Sequence, residues 1–222
     1  SQRTANTIQV TTKRRNIILK KLFKMRDKKI KKYQFITGTR RTTLREYEGG
    51  YYGSNKFRQK YHDFFKDKLP KGMEVFYEVV GYTEGNQTIM GRCSNKLVKD
   101  KNFQKQYGDE TVFSYGCDVG ENDAYVYRMI MMNEDGVMVE LPWEQVQVFA
   151  ERMGAKCVPT FEKFIYTTWD DLMSRVEKYY DGADPIGKTH IREGIVVRID
   201  NRPKFAAYKH KNFYFKCLEG NR

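Results

Sequence analysis

No two of the four cysteines, Cys93, Cys117, Cys157 and Cys217, stand two residues apart. That spacing excludes a zinc ribbon and a small disulfide framework, and it reads as reduced thiols in a cytoplasmic protein. Long apolar runs are missing too. The stretch from Ile195 to Ile199 is broken by Arg198, far short of a membrane span, and Ser1 opens no apolar signal segment. A soluble intracellular chain with no membrane partner is expected. Proline is scarce at 5 residues, and no Pro/Gly/Ser-rich linker, internal repeat or low-complexity tract divides the 222 residues. One domain, 1–222, is therefore expected. His62, His190 and His210 share no metal-ligand spacing, and neither a Walker loop nor a Gly-x-Ser-x-Gly element occurs. His190 reads as a loop histidine bonded to backbone.

Acidic residues are in deficit. Lys+Arg number 41 against 28 Asp+Glu, a net charge of +13, so the long-range field attracts polyanions before any contact forms. Composition alone divides evenly between a nucleic-acid partner and a merely basic soluble protein. Cationic residues crowd between Lys20 and Lys32, with Leu22, Phe23, Met25 and Ile30 interleaved. This stretch fits a basic helix or a loop laid along phosphates, and equally a solvated insertion between two strands.

Period-two patterns predict strands at Tyr33 to Ile36, Glu74 to Tyr82, Ala124 to Met132, Gly136 to Leu141, Gly194 to Ile199 and Phe205 to Lys211. Phe213 to Leu218 reads as a continuation of the last of these. Three helices are predicted. One spans Lys56 to Lys66. A second covers Pro142 to Met153, with Pro142 in the first turn. Thr168 caps the third, whose first turn holds Asp170 and Asp171 and whose stripe is Leu172, Val176 and Tyr179. Trp143 and Trp169, at helix starts, read as packing. The class is α+β, antiparallel sheets flanked by helices.

The chemistry concentrates in two fragments near the C-terminus. Arg192-Glu193-Gly194-Ile195-Val196-Val197-Arg198 sets a carboxylate at the head of a β-branched strand. Ala206-Ala207-Tyr208-Lys209-His210-Lys211 comes next, and lysines two apart on a strand point to one face. The turn Asp200-Asn201-Arg202-Pro203 lets the two strands pair, so all three charges can face one pocket. A carboxylate beside paired ammonium groups suits a metal-bound polyphosphate. Far upstream, Phe76-Tyr77-Glu78-Val79-Val80-Gly81-Tyr82 puts another carboxylate in an apolar strand.

These fragments, in this order, resemble the ATP-dependent nucleotidyltransferases, and among them the RNA ligases of phage and bacterial type. The resemblance covers nearly the whole chain and implies a nucleotidyltransferase (ATP-grasp-like ligase) domain. It assigns Lys209 and Lys211 to the α-phosphate, Glu78 to the ribose hydroxyls, Tyr127 in Ala124-Tyr125-Val126-Tyr127-Arg128-Met129 to the adenine face, and Glu193 to Mg²⁺ or Mn²⁺. Gly38-Thr39-Arg40-Arg41-Thr42 resembles the segment whose arginine touches phosphate; Arg40 is favoured and Arg41 stays open.

The family's nucleophilic lysine sits in a Lys-x-Asp/His-Gly element, and none occurs in these residues. Ser1-Gln2-Arg3-Thr4-Ala5-Asn6 resembles the stretch just after that element in such ligases, which places Arg3 near the nucleotide and the lysine before Ser1. The implied cofactors are ATP, carried as AMP, and a divalent ion. The implied partners are RNA ends or nicked RNA, joined through lysyl-AMP and RNA-adenylate. The chain closes 11 residues after Lys211, which favours RNA ligases over enzymes that continue into an oligonucleotide-binding barrel. The alternative is a non-catalytic or split RNA-binding module using the same basic charge and 32 aromatics (Trp 2, Tyr 16, Phe 14).

Overall fold

A computed structural model of the chain describes all residues except 14–16, 25, 40, 41, 45, 221 and 222. Strands β1 (Gln2–Lys13) and β2 (Lys28–Thr39) flank helix α1 (Ile17–Phe23). Helix α2 (Lys56–Phe65) precedes β3 (Met73–Gly81). Two short strands, β4 (Cys93–Ser94) and β5 (Glu110–Thr111), enclose α3 (Lys101–Tyr107). Then come β6 (Asn122–Met132), β7 (Met138–Glu140), α4 (Trp143–Met153), β8 (Lys156–Cys157) and α5 (Trp169–Tyr179). The hairpin of β9 (Gly194–Ile199) and β10 (Ala206–Lys211) leads into α6 (Phe213–Leu218). No helix among the described residues is long and apolar enough to cross a membrane.

The main sheet runs β2-β1-β3-β6-β7, all antiparallel, with β8 added parallel to β6. Strict alternation along β3 separates its two faces. Met73, Val75, Tyr77 and Val79 are buried, while Glu74, Phe76, Glu78 and Val80 on the other side are half-buried. On the buried side, α2 contributes Phe57, Tyr61 and Phe65 at i, i+4 and i+8, and α4 contributes Val146, Ala150 and Met153. Each aromatic so buried is worth about 1.5–3 kcal/mol of transfer free energy, so these two helices fix which face of the sheet is left for other work. A second core of Val98, Phe103, Phe113, Ile191, Phe215 and Leu218 supports the segments around the β9–β10 hairpin.

Most predicted elements are found with boundaries shifted by a residue or two. Pro142 stands at the N-cap of α4 rather than inside its first turn, and Thr168 caps α5 by accepting from the Asp171 amide at 3.2 Å. Phe213 to Leu218 is a helix, not a strand: Asn212 Oδ1 accepts from the amides of Tyr214 and Phe215 at 2.8 and 3.3 Å, and burial of Phe215 and Leu218 in the second core rewards the turn. Trp169 is not packed; it is 64% exposed at the start of α5. The basic stretch divides between α1 and the first half of β2.

Candidate active site

Along the β9–β10 ladder Lys209 pairs with Val196, Lys211 with Gly194 and Ala207 with Arg198, so Lys209, Lys211 and Arg198 share one face of the hairpin. Glu193 lies one residue before β9. Its Oε1 takes the Lys209 ammonium at 2.5 Å and the Lys211 ammonium at 3.6 Å. Lys211 also reaches Glu219, just after α6. Gly194 makes the arrangement sterically feasible. Its φ is +136°, and a Cβ there would stand 2.1 Å from the His210 carbonyl oxygen and 2.8 Å from the Lys211 Cα. Asn212 closes the same end, its amide donating to the Glu193 carbonyl at 2.9 Å.

Arg198 turns this lysine-bearing face toward the main sheet. Its guanidinium donates to the Tyr127 carbonyl at 3.2 Å and the Leu141 carbonyl at 2.5 Å, and it pairs with Asp200 at 2.7 Å. Its plane also lies over the Phe205 and Trp143 rings. The hairpin is therefore pinned to β6 and the start of α4 by this planar cation, together with the Trp143 amide, which donates to Asp200 at 2.8 Å, and Arg128 of β6, which lies over the Phe205 ring.

Opposite lies the half-buried face of β1, β3 and β6. Glu78 faces Tyr125 in register, and Phe76 packs its ring on Tyr127 at 6.4 Å between centroids. Arg3 pairs in register with Phe76 and forms an ion pair with Glu74 at 3.1 Å. Burial raises the Glu74 carboxyl and the Arg3 charge partly offsets this. Glu78 accepts from the Ser1 hydroxyl.

One half-buried side chain, Tyr115, lies within the electrostatic reach of both halves of this arrangement. Burial drives the Tyr115 phenol far above its ordinary range, and the carboxylates of Glu193, Asp184 and Glu78 raise it further. Glu78 from the main sheet and Glu193 from the hairpin thus bear on the same hydroxyl. Tyr115 is held by the loop before β9. Asp184 accepts from the Ile186 and Gly187 amides at 3.0 and 2.7 Å, and a Cβ on Gly187 would stand 2.2 Å from the Tyr115 carbonyl carbon. His190 backs the ring at 4.5 Å between centroids, with Nδ1 2.9 Å from the Ile191 carbonyl. It is the backbone-bonded loop histidine expected, though fully buried.

Beside Tyr115 opens a polar cleft of about 480 Å³, lined among others by Cys117, Asn122, Asp123, Tyr125 and Lys156. Lys156 is paired with Asp123. The Tyr125 phenol is pushed up to about 12, first by burial and then by the charge and hydrogen bond of Asp123, so it stays a neutral donor at physiological pH.

Of the residues singled out from sequence, Glu193, Lys209 and Lys211 form one charge cluster. Glu78, Tyr127 and Arg3 share the sheet face opposite. Arg40, with Arg41, lies outside the described residues. Sequence reading passed over Arg198, Tyr115, Tyr125 and Lys156. Tyr125 was findable, being two residues from Tyr127 on the same face, and Arg198 was findable from period two in β9. Nothing near Tyr115 in the sequence marks it.

Among the described residues no group of three His, Cys, Asp or Glu side chains forms a metal cage. A lone carboxylate such as Glu193 does suit an ion that keeps most of its water and takes its remaining ligands from phosphate. The Lys–Glu pairs are half-exposed, and pairs of that kind add about 0–1 kcal/mol to stability. Folding energy alone does not account for gathering them.

An α+β fold with antiparallel sheets flanked by helices, carrying a carboxylate strand across from a lysine-paired hairpin, is compatible with a nucleotidyltransferase-type ligase domain. Residues 3–217 match the family model described as RNA ligase, and the chain belongs to that family of RNA-joining ligases. No curated protein matches the chain.

Proposed function

We propose that this chain is the nucleotidyltransferase domain of an ATP-dependent RNA ligase of phage or bacterial type, acting in the cytoplasm to repair broken RNA. Such an enzyme joins a 3′-hydroxyl to a 5′-phosphate in three transfers of AMP: from ATP to a lysine, from the lysine to the RNA 5′-phosphate, and from there to solution as the 3′-hydroxyl attacks. The 222 residues contain no Lys-x-Asp-Gly or Lys-x-His-Gly, so the reading assigns the nucleophile to a lysine outside this segment.

The observation that carries the proposal is the pairing of Lys209 and Lys211 with a single carboxylate on a face directed at β6, while Tyr115 feels both that carboxylate and Glu78. In this reading the two ammonium groups leave Glu193 for the α-phosphate and neutralise charge that grows as the leaving group departs. Glu78 accepts from both ribose hydroxyls. Tyr127, with Tyr125 beside it, offers a ring to adenine. Arg3 and Arg40 add cationic donors to phosphate. Glu193 would hold Mg²⁺ or Mn²⁺, which when bound supplies charge neutralisation at the phosphoryl oxygens.

The last transfer needs no nucleophilic lysine, and this permits a direct test on the chain as it stands. Given RNA already adenylylated at its 5′ end, a 3′-hydroxyl acceptor and Mg²⁺, it should join the two without ATP, while α-phosphate-labelled ATP should leave no acid-stable label on it. Failure to join under any divalent ion, or covalent labelling of the 222 residues, would contradict the assignment.

A further inference from the structure

Charge in this protein is concentrated, not dispersed. Residues 13–32 hold eleven Lys or Arg against one acid, Asp27, a net +10 out of the chain's +13. The structure puts much of that charge on an extension of the main sheet. β1 and β2 pair along their whole length, from Gln2 with Thr39 to Lys13 with Lys28, whereas β1 pairs with β3 only over Gln2 to Ala5. From Thr7 outward, the two strands form a two-stranded arm at the sheet's edge.

Lys13, Lys28, Lys29 and Lys32 are exposed on this arm and form no salt bridge with a described residue. Lys13 and Lys28 stand directly opposite each other in the ladder, an arrangement that costs stability through like-charge repulsion. Lys28 and Lys32 share one face and Lys29 the other. A few contacts tie the arm down: Lys31 donates to the Glu134 carbonyl at 3.0 Å, and Lys20 pairs with Asp27 at 2.7 Å. Lys71 lies over the Tyr33 ring at 5.5 Å and adds a further cation beside it. A paired ribbon gains nothing from its own repulsion, and a polyanion laid along it would relieve that cost.

β1 begins at the candidate active site, where Arg3 faces Phe76 and Glu74, and ends in the arm. Ten residues separate Arg3 from Lys13, about 34 Å at 3.4 Å per strand residue. We infer that the outer halves of β1 and β2 form a clamp on the phosphate backbone of the RNA strand that leads away from the joint, about ten nucleotides from it at 3.4 Å per nucleotide. The inference rests on the RNA ligase reading and extends it to where the RNA lies.

The test is the salt dependence of RNA binding, tracked by fluorescence anisotropy with labelled RNAs of graded length, for the wild-type chain and a variant with Lys13, Lys28, Lys29 and Lys32 all changed to Ala. Each phosphate neutralised on a single strand contributes about 0.7 to the slope of log affinity against log salt, so loss of four contacts removes about 2.8. Going from about 50 to 200 mM salt should then cost the wild type about 50-fold more affinity than the variant. The difference should vanish for RNAs too short to reach the arm. Equal slopes with RNA binding intact would overturn the clamp alone. A wild-type chain that binds no RNA would sink both the clamp and the ligase reading. Tighter binding of phosphatidylserine vesicles than of RNA through these same lysines would overturn the choice of nucleic acid.

Discussion

Replacing Arg198 by Met would test whether one side chain really holds the lysine hairpin over the sheet. The guanidinium is only 14% exposed, and the Glu140 carboxylate 3.8 Å away only 7%. Removing it leaves the Tyr127 and Leu141 carbonyls without their charged donor and leaves Asp200 with the Trp143 amide at 2.8 Å but without its cation. Charged hydrogen bonds contribute about 1.5–3 kcal/mol each, and breaking a buried charge network costs about 3–5 kcal/mol in all. Glu140 keeps Arg128 at 3.0 Å, and the Met stem retains apolar contact with Phe205 and Trp143, which offsets part of the loss. A net cost of about 3 kcal/mol corresponds to a fall in Tm of about 6–12 °C for a domain of this size. Thermal unfolding monitored by circular dichroism reads this directly. Arg198→Lys should fall between, because an ammonium keeps the charge and loses the planar fork that spans two carbonyls. A Tm for Arg198→Met within about 2 °C of wild type would refute the docking argument, since no other change is called on to detach the hairpin.

Two further outcomes rest on particular atoms. Gly194→Ala forces a Cβ against the His210 carbonyl and a side chain into positive φ; it should cost about 1–3 kcal/mol, read as a lower urea midpoint, and should slow joining of adenylylated RNA by displacing Glu193 and Lys211, whereas an unchanged midpoint would show that the hairpin end is not closely packed. Burial pushes the Cys157 thiol up to about 11. Its thiolate fraction, and so its alkylation rate, should keep climbing about tenfold per pH unit past pH 9, and a plateau below pH 9 would contradict the burial.

Elements whose own residues decide their state could be read from the sequence. β3 alternates without a break, and β9 is a β-branched run opened by a glycine, so both stand where periodicity puts them. α6 could not be read that way. Phe213-Tyr214-Phe215 has strand propensity, but the Asn212 cap and burial of Phe215 and Leu218 outweigh it. The same division holds in the site. Glu193, Lys209 and Lys211 lie within one hairpin, and their meeting is a consequence of spacing. Tyr115 reaches the same place from another part of the chain because Gly187 lets two turns touch, and no local pattern records a contact of that range. Trp169 shows the converse error, since an aromatic at a helix start carries no information about what lies beside it.

If Glu78 on the sheet and Glu193, Lys209 and Lys211 on the hairpin serve one adenosine phosphate, a crystal structure of the chain with a non-hydrolysable ATP analogue and Mg²⁺ will show it. The predicted result has the ribose hydroxyls on Glu78, the α-phosphate within hydrogen-bond reach of Lys209 and Lys211, and both lysines drawn off Glu193. A nucleotide bound elsewhere, with the Lys209–Glu193 pair undisturbed, would contradict the shared site.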